Sequence, residues 1–219
     1  MRTIIKRKKR KSKIRAIIAS HVINNKKDYI IAILLFLIGL MIGIMFINNV
    51  NEKQFTQIDE YLKNLVSNMK TIENINYIDL LKESVLSNTI LIIIIWIASS
   101  TIIGIPIVYG NLVFRGFALG YTITSIVSTL GMKNGIIFGL SSLLLHNIIF
   151  ILVLLAASVS GMKLYKSIIK NRERENVKIE FFRHTIFCII MLLLLVVSSL
   201  IEVYISTNLA KFVVNYIKI

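Results

Sequence analysis

The sequence predicts an all-α, polytopic membrane protein with five transmembrane helices, N-terminus cytoplasmic and C-terminus extracellular. Three observations carry this. The 219 residues are 56% hydrophobic and 17% charged, with a mean hydropathy of +0.76; soluble domains run near 45–50% apolar and about 25% charged. Five stretches contain no Asp, Glu, Lys or Arg, the longest being 31 residues, and about 20 apolar residues suffice to cross a bilayer as a helix. The formal net charge of +15 is spread unevenly over the segments between those stretches. Disorder of the whole chain is excluded, because disorder requires low hydrophobicity. So basic a chain would ordinarily suggest a soluble nucleic-acid binder, but most of this one has no aqueous surface to occupy.

Residues 1–28 form a basic cytoplasmic segment, with 11 Lys and Arg among the first 27. Next to a membrane such a run is attracted to anionic lipid, at about 1 kcal/mol per residue near the surface, and it sets topology; nucleic acid or a cytoplasmic protein is the other reading. The first span is 29–49. Its apolar stretch exceeds a signal-peptide core and no small-x-small cleavage site follows, so it reads as a retained anchor. An extracellular loop, 50–87, precedes three further spans within 88–161, read as 88–108, 112–131 and 135–161. The gap from Ser84 to Phe114 is longer than one span needs. Pro106 in Gly104-Ile105-Pro106 predicts the break, since proline removes a backbone donor and disfavours helix before it. A basic cytoplasmic loop (162–183) leads to the fifth span, 184–206, and a tail ending at 219. Arg115 and Glu202 are each read at a helix end, where a long side chain can reach water. With the N-terminus inside, 19 basic residues are cytoplasmic and 7 external, the bias that the positive-inside rule requires.

The external loop is the soluble-looking piece, with six acids, four lysines and neither Gly nor Pro. Phe55, Ile58, Leu62, Leu65, Met69 and Ile72 recur at spacings of three and four, an apolar stripe along one helix face. The stripe either lies on the membrane or on other parts of its own chain, or docks an extracellular partner. The two uses are compatible.

Enzymatic chemistry finds little support. Cys188 is the only cysteine and lies in the fifth span, leaving no disulfide and no cysteine metal cluster. His21, His146 and His184 are far apart, and no HExxH, Walker A loop or GxGxxG occurs. Gly139-Leu140-Ser141 with His146 is a poor match to an intramembrane serine protease, because residues five apart do not share a helix face. The expectation is a protein that is not an enzyme and needs no cofactor.

Small and polar residues within the spans say more. Gly39/Gly43, Gly116/Gly120 and Gly135/Gly139 each form GxxxG in a different helix, the spacing that lets two backbones approach where lipid supplies no hydrophobic drive. Packing within the chain is one use; a homo-oligomer contact through Gly39 and Gly43 is the other. His146 and Asn147 fall near the middle of the fourth span. Polar groups at that depth need partners and are functional candidates. Ser99, Ser100, Thr101 and Thr124 are candidate structural partners.

Several of these positions form a pattern: Ser84 with Asn88, Trp96, Gly104-Ile105-Pro106, Arg115-Gly116-Phe117-Ala118-Leu119-Gly120, the Gly135 segment and His146-Asn147. From Ser84 to about residue 170 the chain resembles the stage II sporulation protein M family of endospore-forming bacteria. Family members often carry proline directly before the last motif, where this chain has Leu145. The resemblance implies a non-enzymatic scaffold of the septal membrane on the mother-cell side. Such a scaffold acts in engulfment with two extracellular peptidoglycan-degrading partners, stage II sporulation proteins D and P. The outer stripe is then the expected docking element. The rival class is a membrane subunit of a transport system, with His146 and Asn147 lining a pathway.

Overall fold

The computed structural model describes residues 20–71, 75–101, 104–170 and 174–217, and their side chains except 144, 145, 170 and 174–176. The basic residues before position 20, and Ile72 of the outer stripe, lie outside that set. Five described helices are long and apolar enough to cross a membrane: Lys26–Asn48, Tyr77–Ser99, Gly104–Leu130, His146–Ile169 and Val177–Val214.

Helix α1 (Lys26–Asn48) has apolar residues all round, as lipid on one side and protein on the other demand. Leu34, Met41 and Met45 are exposed, while Ala32, Phe36, Gly39 and Gly43 are buried. Helix α2 (Glu52–Thr71) is the outer amphipathic element. Helix α3 (Tyr77–Ser99) starts under an N-cap, the Asn76 side chain accepting from the Asp79 amide, which satisfies an otherwise orphaned donor. The second span therefore begins eleven residues before the predicted 88, because polar residues such as Glu83 and Asn88 do not by themselves stop a helix.

The break between the second and third spans also falls earlier than predicted. Helix α3 ends at Ser99, and the hydroxyls of Ser99, Ser100 and Thr101 all turn back onto carbonyls of their own last turn. Helix α4 (Gly104–Leu130) then begins with Gly104 so close to Ala98 that an added Cβ would overlap its carbonyl. Pro106 sits in the first turn of α4, where its missing N–H would have had no helical partner. The third span thus starts at 104, not 112, which moves Arg115 from a helix end to within two residues of the middle of the helix.

Gly131, at φ 77°, turns the chain into α5 (Met132–Gly139). A π-helical turn, Leu140–Leu144, joins α5 to α6 (Leu145–Lys170). The Ser141 and Ser142 hydroxyls both bond the Phe138 carbonyl, a local competition with the backbone ladder. Helix α7 (Arg174–Ile201) passes through a second π turn, Glu202–Ser206, into α8 (Thr207–Val214). The predicted cytoplasmic loop 162–183 is mostly helix, with only 171–173 between α6 and α7. Glu202 likewise does not end its helix.

The main core cluster joins α1, α3, α4, α6 and α7, with Ile95, Leu112, Leu154 and Leu195 almost fully buried. At one end of the bundle Asp28–Lys166 ties α1 to α6 and Lys163–Glu180, at 3.1 Å, ties α6 to α7, with Arg183 of α7 on the same Glu180 carboxylate at 2.9 Å. A second, smaller core at the other end gathers Val66 of α2, Ile126 of α4, Phe138 of α5, and Ala210 and Val214 of α8.

Candidate functional site

The polar side chains inside the bundle converge where the two π turns touch. Asn88, at the midpoint of α3, donates to Ser199 Oγ of α7 at 2.8 Å. Ser199 Oγ lies 2.8 Å from Ser84 Oγ, and Ser84 donates to Glu202 Oε2 at 2.6 Å. These bonds form a directed chain, Asn88 to Ser199 to Ser84, ending on the carboxylate. On the far side, Ser198 donates to the His146 carbonyl at 3.2 Å, leaving its oxygen 3.0 Å from His146 Nδ1. The same Nδ1 is 3.4 Å from Glu202 Oε2. The site therefore brings α3, α6 and α7 together around one half-exposed carboxylate, which accepts from Ser84 and lies beside the His146 ring. Away from water an unbonded carboxylate is very unfavourable, while a fully bonded network fixes helix register.

Both π turns border this cluster: one immediately precedes α6, which carries His146, and the other begins with Glu202. Such turns concentrate at functional sites, and here they aim His146 and Glu202 at each other. Sequence spacing carries no sign of them. His146 finds its partner on the fifth span, at Ser198 and Glu202. Of the four predicted partners, Ser99, Ser100 and Thr101 bond back onto carbonyls of α3, and the contacts of the His146 ring nitrogen go to Ser198 and Glu202 rather than to Thr124.

Arg115 is the second intramembrane charge. Its guanidinium lies 5.0 Å from the centroid of the Phe150 ring, and Phe150 in turn packs on His146 at 5.6 Å. A charge at that depth costs about 2.5–3.5 kcal/mol on insertion scales, and the ring face recovers part of it. Asn147 lies apart from this cluster, its amide bonded at 2.8 Å to the Leu143 carbonyl of the π turn. Trp96 bonds Thr185 of α7 at 3.0 Å.

A polar contact that the sequence reading passed over lies towards the opposite end of the bundle. His184 Nδ1 is 3.0 Å from Ser160 Oγ, and its Nε2 is 3.5 Å from Cys188 Sγ. Gly161 leaves room there for Ser99. The signal available was Ser-Gly in one helix opposite His in another, which is too common to single out.

The glycines divide by use. A Cβ on Gly39 would lie 2.0 Å from the Val113 carbonyl oxygen, and one on Gly43 2.3 Å from that of Phe117. From the other side, a Cβ on Gly116 would lie 2.1 Å from the Phe36 oxygen, and one on Gly120 2.3 Å from that of Leu40. The two GxxxG faces therefore meet each other within the chain, and the Gly39/Gly43 face is covered by α4. Gly135 packs on Val127, whereas Gly139 faces open space.

The outer stripe also turns inward. Leu62, Leu65 and Met69 pack around buried Val66 against the second core, and Phe55 and Ile58 are half-buried. Lys70 Nζ donates to the Ile217 carbonyl at 2.8 Å, and Tyr77 bonds Asn208 and stacks on Tyr204. The opposite face of α2, with Lys53, Thr56, Glu60 and Tyr61, is exposed.

These features define a multi-pass helical membrane protein: five apolar helices, a glycine seam, a polar seam at mid-depth and a helix laid over one end. Residues 32–207 match the family described as stage II sporulation protein M, and the chain belongs to that family. It is similar to an uncharacterized protein of Methanocaldococcus jannaschii, 26% identical over 195 residues, covering 87% of this chain and 99% of that protein. No solved structure matches. Membership makes this chain a membrane protein of a sporulation family.

Proposed function

We propose that the protein is a non-enzymatic scaffold of the septal membrane on the mother-cell side, holding extracellular peptidoglycan-degrading enzymes in place during engulfment. The partners are stage II sporulation proteins D and P. Family membership supports the setting, and the outer end of the bundle supports the scaffold role. The carrying observation is that α2 is fastened down by Val66 and by the Lys70–Ile217 bond, so its polar face is held at a fixed orientation. The docking element thereby moves from the apolar stripe, which faces its own chain, to the exposed face bearing Lys53, Glu60 and Tyr61. The charge bias supports N-terminus inside; without Arg115, now at mid-depth, it stands at 18 against 7.

Photocrosslinkers at Lys53, Glu60 and Tyr61, compared with one at position 172, test this in sporulating cells. The expected result is capture of the D and P proteins from the outer positions; capture only from 172 sinks it. A transport subunit is the second reading, favoured by the mid-depth charges Arg115 and Glu202. Replacing His146 and Glu202 together (His146→Leu with Glu202→Gln) separates the two: a scaffold keeps partner capture, whereas a pathway loses flux.

A further inference from the structure

Among the described residues Arg115 has no ion pair, and its one recorded partner is the Phe150 ring. An apolar groove of about 260 Å³ begins one helical turn further along α4. Leu119 and Ile123 form one wall, and Gly139, Leu140, Leu143 and Asn147 on the π-distorted helix form the other. Ile148 and Ile151 of α6 also line it, and Leu119 stands four residues from Arg115 on the same face of α4. Gly139 opens the groove, since a Cβ there would meet nothing within 4 Å. Leu140 and Ile136 stand exposed at its rim.

We propose that this groove docks a transmembrane helix of a partner protein bearing an Asp or Glu near its middle, which pairs with Arg115. Charge complementarity and depth carry the argument. Arg115 lies eleven residues into α4, roughly 16 Å along the axis at 1.5 Å per residue, close to the centre of a hydrocarbon layer about 30 Å thick. A lipid phosphate stays at the interface, about 15 Å away, so the matching anion at this level comes from a polypeptide side chain. The groove has room for the side chains of such a helix, and the absent Cβ at Gly139 lets its backbone approach, the usual mode of association in lipid. A pair in this medium is strong because few other partners compete for either charge. The inference deepens the scaffold reading and rests on it in requiring a partner; it adds contact within the membrane to contact outside it.

The experiment uses the full chain in native membranes, with a photoreactive amino acid at Leu140 and mass spectrometry of the adducts. The expected adduct is a transmembrane peptide of another protein with a carboxylate within one turn of its midpoint. Its yield falls about tenfold in Arg115→Gln, equivalent to ~1.4 kcal/mol, and holds in Arg115→Lys. It is lost in Arg115→Asp and returns when the partner carboxylate is changed to Lys. Ile136→Trp, which blocks the rim without touching the charge, removes the adduct while leaving outer-face capture intact. Adducts to lipid only, adducts to a second copy of this chain, no adduct, indifference to Arg115→Gln or failure of the charge swap each overturn the proposal. If outer-face capture by Lys53, Glu60 and Tyr61 persists when groove adducts do not appear, this inference fails alone; if both are lost, the scaffold reading fails with it.

Discussion

The two seams of the bundle solve one problem by different means. Between α1 and α4, Gly39, Gly43, Gly116 and Gly120 bring backbone against backbone, each glycine facing a carbonyl of the other helix. Between α3, α6 and α7, the helices are joined by side chains: Asn88, Ser84, Ser199, Ser198, His146 and Glu202. In lipid neither seam gains from excluding water, so association rests on close packing or on polar bonds. The glycine seam has no tolerance, since nothing in a carbonyl can rotate away from an added methyl. The polar seam is adjustable, because a hydroxyl or amide that loses one partner can find another.

The largest expected effect comes from filling the tight seam. Gly39→Leu and Gly116→Leu each place a side chain where the opposing backbone already stands, so the helices must separate. Overpacking usually costs about 1–3 kcal/mol and sometimes more; with backbone as the obstacle, these variants belong at or beyond the upper end. Thermal unfolding in detergent should show a large loss of stability for both. Gly139→Leu, at the open glycine, is the control and should leave stability nearly unchanged. Equal losses at positions 39 and 139 would show that the glycine pairing is not what holds α1 to α4.

The polar seam should respond more weakly. Intramembrane hydrogen bonds average about 0.6 kcal/mol in double-mutant cycles, with a maximum near 1.7. Asn88→Leu and Ser199→Ala should each cost on that order, and their double mutant should cost less than the sum, because they share a bond. Strict additivity would mean that the Asn88–Ser199 contact carries no energy. Ser84→Ala should couple to Glu202→Gln in the same way. Trp96→Phe, which removes only the bond to Thr185 and keeps the ring, should cost at most a few tenths of a kcal/mol in the same assay.

Much of this contrast was readable in the sequence, and the part that was not has identifiable causes. The five apolar helices follow from charge gaps, and GxxxG spacing named all four glycines of the tight seam. Span ends were misplaced because Ser, Thr and Asn near a boundary favour neither helix nor break on their own. That single shift put Arg115 at a helix end in the sequence reading and near the helix middle in the structure. Ser84, Asn88 and His146 stood out individually, but Glu202 as their meeting point did not. Its role depends on two π turns, and a π turn adds one residue to a helical register without leaving a compositional trace. The outer stripe was visible as amphipathic, yet amphipathicity does not say whether its apolar face meets a partner or its own α8.

The smallest predicted effect lies at the wet edge of the bundle, just before α1. His21 stacks on Phe187 of α7 at 5.3 Å and lies 3.3 Å from the Tyr29 hydroxyl. Burial, and then the nearby Lys163 charge, lower its pKa from the ordinary 6.5. The folded state therefore favours the neutral ring, and between that lowered value and 6.5 the unfolded or undocked chain binds more protons. By linkage the contact is fully stabilised above pH 6.5 and weakens as pH falls through that window. Hydrogen exchange across residues 20–25 should speed up on moving from pH 7.5 to pH 5.5, after correction for intrinsic exchange rates, and more so than across α3. His21→Phe, which keeps the stack and removes the titration, should abolish the difference. A pH response that survives His21→Phe would place the proton elsewhere and overturn this assignment.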